Sequence, residues 1–108
     1  MSKNIIEVDP ARFPWLDLNR YTFCMGAENG GILYLSGQTA SEYNPGPGRV
    51  VCKGNLLDQT RVIYEKLAVA LEAAGMSFGN VVQTVDYIDP TGLALYWQTG
   101  EIRKQYLG

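Results

Sequence analysis

No histidine occurs among the 108 residues, and that omission narrows the chemistry open to the chain. Ser-His-Asp and Cys-His relays need an imidazole to carry the proton, and His-based zinc sites need one as a ligand. Acid-base work therefore falls to carboxylates, tyrosines, cysteines, backbone groups or bound water. Cys24 and Cys52 are the two thiols, and they read as small apolar residues rather than reactive ones. Glu65 and Glu72 fall on the wet side of a helical pattern, while Tyr96, Trp97 and Tyr106 read as packing residues.

Composition removes further classes. Nine Lys and Arg stand against eleven Asp and Glu, a net charge of −2, with no basic run. Nucleic-acid binding depends on clustered cations that neutralise phosphate, so no nucleic-acid partner is expected. The longest mainly apolar run, Leu67 to Gly75, is broken by Glu72 and is too short to span a bilayer, so no membrane partner is expected either. The opening Met1-Ser2-Lys3-Asn4-Ile5-Ile6-Glu7 lacks the apolar stretch of a signal peptide, which makes a cytoplasmic setting the default expectation. The length suits one domain.

The elements that must position any site follow from periodicity and turn chemistry. Residues 1–20 read as an irregular lead-in in which Phe13, Trp15 and Leu16 sit among Pro10, Pro14 and Asp17, and residues 21–108 as the domain proper. Tyr21 to Ala27 predicts a first strand. Glu28-Asn29-Gly30-Gly31 is a hairpin signal, because Asn and Gly tolerate positive φ. Ile32 to Ser36, nearly continuously apolar, predicts a second strand covered on both faces. Residues 39–48, with Asn44-Pro45-Gly46-Pro47-Gly48, predict a loop. Arg49 to Cys52 predicts a short third strand.

Gly54-Asn55 opens the strongest helix. Asn55 can cap it, Asp58 suits the positive end of the dipole, and Gly75 suits the left-handed stop with Met76 folding back on Leu71. Leu56, Ile63, Leu67, Ala70, Leu71 and Ala74 form its apolar face, and Arg61 with Glu65 an outer pair. Val81 to Ile88, rich in Val and Thr, predicts a fourth strand. Asp89-Pro90-Thr91 starts a second helix whose inner face carries Leu95, Ile102 and Tyr106, with Gly100 interrupting it. The order is β-β-β-α-β-α: a parallel, right-handed crossover from third to fourth strand, both helices on one sheet face, and the other face left for a second subunit. The two cysteines then lie on strands separated by a third, beyond disulfide reach, and free thiols are expected.

The segment Ile32-Leu33-Tyr34-Leu35-Ser36-Gly37-Gln38 resembles the strand-loop signature of the Rid (YjgF-like) enamine/imine deaminases, also described as the endoribonuclease L-PSP family. Gln59-Thr60-Arg61, Leu71-Glu72-Ala73-Ala74-Gly75-Met76 and Val81-Val82-Gln83-Thr84-Val85-Asp86-Tyr87-Ile88 match in order, so the resemblance spans residues 21–108. It implies an α/β (α+β), chorismate-mutase-like fold and a homotrimer with clefts between subunits. It also implies hydrolysis of 2-aminoacrylate-type enamines and imines to 2-keto acids and ammonia, with no cofactor and a small 2-imino or enamine acid as the partner. By that resemblance Tyr21 matches a cleft tyrosine on the first strand, Ser36 and Gly37 a substrate-binding corner, and Tyr87 an aromatic walling the cleft.

The family also uses an arginine that clamps the substrate carboxylate and a glutamate that orients the attacking water. It carries these on two strands beyond the second helix. The sequence given stops at Gly108, so no catalytic residue is assigned, and neither Arg49 nor Arg103 has the spacing to stand in. In the turn before the second helix, where the family often has asparagine, this chain has Asp89-Pro90-Thr91-Gly92. Three functions are therefore weighed: the deaminase, a non-catalytic binding or regulatory trimer, and a ribonuclease, which the acidic charge disfavours. The resemblance places one missing strand between the third and fourth, so the sequence as it stands predicts either a poorly stable chain or direct pairing of those two.

Overall fold

The computed structural model describes residues 4–21 and 23–108. Gly30 and Gly31 have φ of +62° and +79°, the two left-handed positions of a tight hairpin turn. Around that turn β2 (Gly26–Asn29) and β3 (Ile32–Leu35) pair antiparallel, from Asn29 opposite Ile32 to Gly26 opposite Leu35. A short strand from the lead-in, β1 (Asn4–Ile5), joins the other edge of β2. The first strand expected over Tyr21 to Ala27 is thus displaced: the ladder starts at Gly26, and Tyr21 closes a 3-10 turn over Leu18–Arg20 instead. Thr22 lies outside the described residues.

The loop expected over residues 39–48 holds for 39–40 and 45–48. Between them β4 (Ser41–Asn44) pairs antiparallel with β5 (Arg49–Cys52), in a ribbon separate from the first sheet. Asn44 makes the turn, its side-chain oxygen accepting from the Gly46 N–H at 3.0 Å and its carbonyl from Gly48 at 2.9 Å. The Pro45 and Gly46 signals mark this turn but say nothing of the four residues before it, whose strand state comes from pairing.

Helix α1 (Leu56–Ala73) has the ends its sequence predicts. Asn55 Oδ1 accepts from the Asp58 N–H at 3.0 Å while Asp58 Oδ2 accepts from the Asn55 N–H at 3.1 Å, a reciprocal cap that satisfies two orphan donors. Gly75, at φ +72°, lets the chain leave so that Met76 N–H reaches the Leu71 carbonyl at 2.9 Å and Gly75 N–H reaches Glu72 at 3.0 Å, the paired closure typical of a glycine stop. Beyond it Asp89 caps a 3-10 helix over Pro90–Gln98, which passes into α2 (Thr99–Leu107). Gly100 is accommodated inside α2.

The fourth strand, expected over Val81 to Ile88, does not form. Val82 and Tyr87 are 98% and 94% exposed, and residues 82–88 make no backbone hydrogen bond to any described residue. A Val- and Thr-rich segment fits a pleated surface, but a strand exists only with a partner ladder, and among the described residues none lies beside this one. With it go the parallel crossover and the direct pairing of third with fourth strand, since β5 takes β4 as its partner. The mixed α/β class stands, as two antiparallel sheets and two helices, with α2 and the 3-10 helix packed on α1. Cys24 and Cys52 are free thiols.

The core gathers where α1 meets the lead-in and the end of the first sheet. Phe13, Met25 and Ala70 are buried there, with Val8, Trp15, Leu16, Leu18, Leu35 and Val69 packed around them. A second aromatic cluster, Tyr64, Phe78 and Tyr106, has ring centroids 5.1–5.8 Å apart and joins α1 to α2. Ile102 is buried, and Leu95 and Tyr106 are half-buried. β3 is covered on one face only: Ile32 and Tyr34 are exposed while Leu33 and Leu35 are half-buried, the alternation of a sheet with one free face.

Candidate functional site

Ser36 follows directly on β3 and keeps one more rung of the ladder, its N–H donating to the Met25 carbonyl at 3.0 Å. The Ser36 hydroxyl also donates to that carbonyl, at 3.3 Å, and accepts from the Gln38 side-chain amide at 3.2 Å. The same amide nitrogen lies 3.9 Å from Met25 Sδ. A thioether sulfur only accepts, so both neighbours of the Gln38 amide ask it for N–H groups. Met25 is buried in the core, and the corner is therefore fastened to that core.

After Ser36 the ladder ends. The Gly37 N–H donates to no described residue, and nothing lies within 4 Å of the place a Cβ would occupy. An exposed N–H with no partner among the described residues can donate to an anion, and the Ser36 hydroxyl stands beside it.

The other candidates lie elsewhere. Tyr21 is exposed and packs on Phe23 with ring centroids 5.5 Å apart. Tyr87 projects into solvent from the unpaired 82–88 segment. Among the described residues neither tyrosine hydrogen-bonds to Ser36, Gly37 or Gln38. The structure brings Ser36 and Gly37 together, as their adjacency requires, and joins Gln38 to them.

Lys66 is the polar residue that sequence reasoning passed over. It is 1% exposed, and its ammonium donates to the carbonyls of Thr39 at 2.8 Å and Ser41 at 2.5 Å. It also lies 5.5 Å and 5.7 Å from the ring centres of Phe13 and Trp15, within cation–π range. Burial holds its pKa below the usual lysine value, against the smaller opposing pull of Cys52 and Glu42. Lys66 thereby clasps the segment leaving the Ser36 corner onto α1. The signal was present: position 66 sits three residues after Ile63 and four before Ala70, inside the apolar stripe.

A shallow groove of about 400 Å³ opens between the start of α1 and α2, with Leu57, Arg61, Trp97 and Glu101 on its walls. It contains none of Tyr21, Ser36, Gly37 or Tyr87. Among the described residues no group of His, Cys, Asp and Glu is placed to hold a metal ion, and no helix is long and apolar enough to cross a membrane.

Comparison with known proteins agrees with this architecture. The sequence model of the family described as endoribonuclease L-PSP matches residues 17–107. A RutC family protein of Pyrococcus horikoshii is 34% identical over 80 residues, which are 73% of this chain and 59% of that protein. The chain thus spans less than two thirds of the length of the relative it matches.

Proposed function

This chain belongs to the endoribonuclease L-PSP family, the Rid or YjgF-like proteins, and on that footing we propose that it hydrolyses small 2-imino acids and their enamine tautomers. Water adds to the imine carbon through a new C–O bond. The resulting carbinolamine passes a proton from oxygen to nitrogen, and C–N cleavage releases ammonia and leaves a 2-keto acid. The observation that carries the reading is the open Gly37 N–H beside the Ser36 hydroxyl, held by Met25 and Gln38. A hydrogen bond to a carboxylate there contributes about 1.5–3 kcal/mol. An iminium carbon is electrophilic already, so positioning supplies most of what the reaction needs. A chain without histidine suits such chemistry, and hydrolysis transfers no electrons, so the reading invokes no cofactor.

In the same reading the active form is a cytoplasmic homotrimer with the substrate in a cleft between subunits. The exposed Ile32 and Tyr34 face of β3 and the exposed Tyr21 and Tyr87 support it, because apolar surface of this kind calls for a covering partner. Tyr21 and Tyr87 would come to the corner from across such an interface.

A second reading, a binding module without catalysis, is favoured by one observation. Among the described residues no arginine or glutamate side chain hydrogen-bonds to Ser36, Gly37 or Gln38. Ribonuclease activity has less support. The chain carries a net charge of −2 without a run of basic residues, and phosphate binding depends on clustered cations.

Ammonia release from freshly generated 2-aminoacrylate, followed by a coupled assay, separates these functions. The deaminase reading expects saturable acceleration over buffer. Saturable binding of the keto acid without ammonia release would establish the binding module instead, and RNA cleavage that survives rigorous repurification would establish the nuclease.

A further inference from the structure

Arg61 stands four residues before Glu65, the spacing of a helical ion pair, yet among the described residues the two do not reach ion-pair distance. Arg61 lies instead on the wall of the groove between α1 and α2, and Glu101 lines the same groove. These two do not pair with each other either. Arg103, further along α2, is taken elsewhere: it donates to the Thr99 hydroxyl, with its guanidinium 5.0 Å from the Tyr96 ring centre. A cation and an anion thus share one cavity, and neither neutralises the other.

Apolar side chains line the same groove. Leu57 is half-buried and Ile102 buried, while Trp97, which its sequence context marks for packing, is 76% exposed. Gly100 keeps the wall open, since a Cβ there would meet, beyond its own helix, only the end of Arg103 at 3.6 Å. At about 400 Å³ the cavity falls in the size range of small-molecule sites.

A guanidinium fork suits a carboxylate, a carboxylate suits an ammonium, and an exposed indole suits a bulky apolar group. One small molecule carries all three on a single carbon. We propose that this groove binds a free α-amino acid with a large apolar side chain. Its carboxylate meets Arg61, its ammonium meets Glu101, and its side chain lies against Trp97 and Leu57. A residue inside a peptide has neither charge, so the two opposite wall charges favour the free amino acid. A 2-keto acid matches Arg61 alone and leaves Glu101 without a partner, so the groove discriminates against it. None of Ser36, Gly37 and Gln38 lines this cavity, and the proposal holds whether or not the corner catalyses.

L-Phenylalanine is the probe for the test, and two analogues each lack one charge: 3-phenylpropanoate has no ammonium, and 2-phenylethylamine has no carboxylate. Each is titrated into the labelled full chain and followed at the Gly100 amide and the Trp97 indole N–H. L-Phenylalanine should move both saturably and bind about tenfold or more tighter than either analogue, the worth of one charge-assisted hydrogen bond. Arg61→Gln should weaken L-phenylalanine by a similar factor and leave 2-phenylethylamine within about twofold. Glu101→Gln should weaken it equally and spare 3-phenylpropanoate instead. Both positions are exposed on helices, so both variants should fold, which unchanged amide spectra over the first sheet would check. Trp97→Ala should weaken all three probes.

Equal affinity for the three probes would reject the charge recognition and with it the proposal. So would the absence of saturable movement, or either variant weakening all three probes alike. N-acetylphenylalaninamide, which carries neither charge, should not compete; binding as tight as that of L-phenylalanine would assign the groove to a peptide and overturn the reading.

Discussion

Lys66 carries its charge into the core with no carboxylate in ion-pair distance among the described residues. Desolvation of an ammonium is costly, and here two backbone carbonyls and two aromatic faces offset it. Lys66→Met keeps the aliphatic stem and strands the Thr39 and Ser41 carbonyls. Loss of about 1–3 kcal/mol of stability in urea at neutral pH is expected, and an unchanged midpoint would contradict it. The pH dependence has a definite sign. Since burial lowers the folded pKa below the ordinary 10.5, the unfolded chain holds more protons in the window between the two values. Stability contributed by this residue therefore rises with pH through that window. The gap between wild type and Lys66→Met should widen as pH climbs toward 10.5. Tyr64, whose pKa burial pushes up, works in the opposite direction but is common to both proteins and drops out of the difference. Reading Lys66 from sequence would have required treating a lysine inside an apolar stripe as buried, against the usual preference of its type.

At the scale of elements, α1 was legible at both ends because caps are local chemistry. Asn55 and Asp58 are three residues apart, and Gly75 needs only its own φ. Asn55→Ala should cost about 1 kcal/mol and Gly75→Ala a similar amount. The two sites lie at opposite ends of a helix about 27 Å long, so the losses should add in a urea titration of the double variant. A double variant no worse than either single would show that the ends are not independent. The 82–88 segment was illegible for the complementary reason. Its Val and Thr content describes a surface that a strand could fit, but the ladder depends on residues distant in sequence. In the isolated chain its amides should exchange with solvent at nearly unprotected rates while those of Leu67 to Leu71 stay protected, as read by hydrogen exchange. Protection over 82–88 equal to that of α1 would mean that a partner strand is in place. β4 was missed on the same principle, and the β2–β3 hairpin was found because Asn29-Gly30-Gly31 fixes its turn locally.

Over the whole molecule, the family and the mixed α/β class were readable from spaced motifs, whereas the arrangement of sheets was not. The candidate residues fall into two groups. Ser36 and Gly37 stand at one corner because they are neighbours, but the tyrosines at 21 and 87 make no hydrogen bond to it within one chain. Exposed Ile32, Tyr34, Val82 and Tyr87 leave apolar surface that association would cover. The melting midpoint should therefore climb with protein concentration, and Tyr34→Glu should abolish that dependence. A midpoint independent of concentration would speak for a monomer. The most direct test of the functional claim is the amide spectrum of the labelled chain titrated with 2-oxobutanoate. Saturable movement centred on the Gly37 amide, with Ser36 and Gln38 following, is the expected result. Movement centred instead on the groove beside Arg61 and Trp97, or none at all, would contradict it.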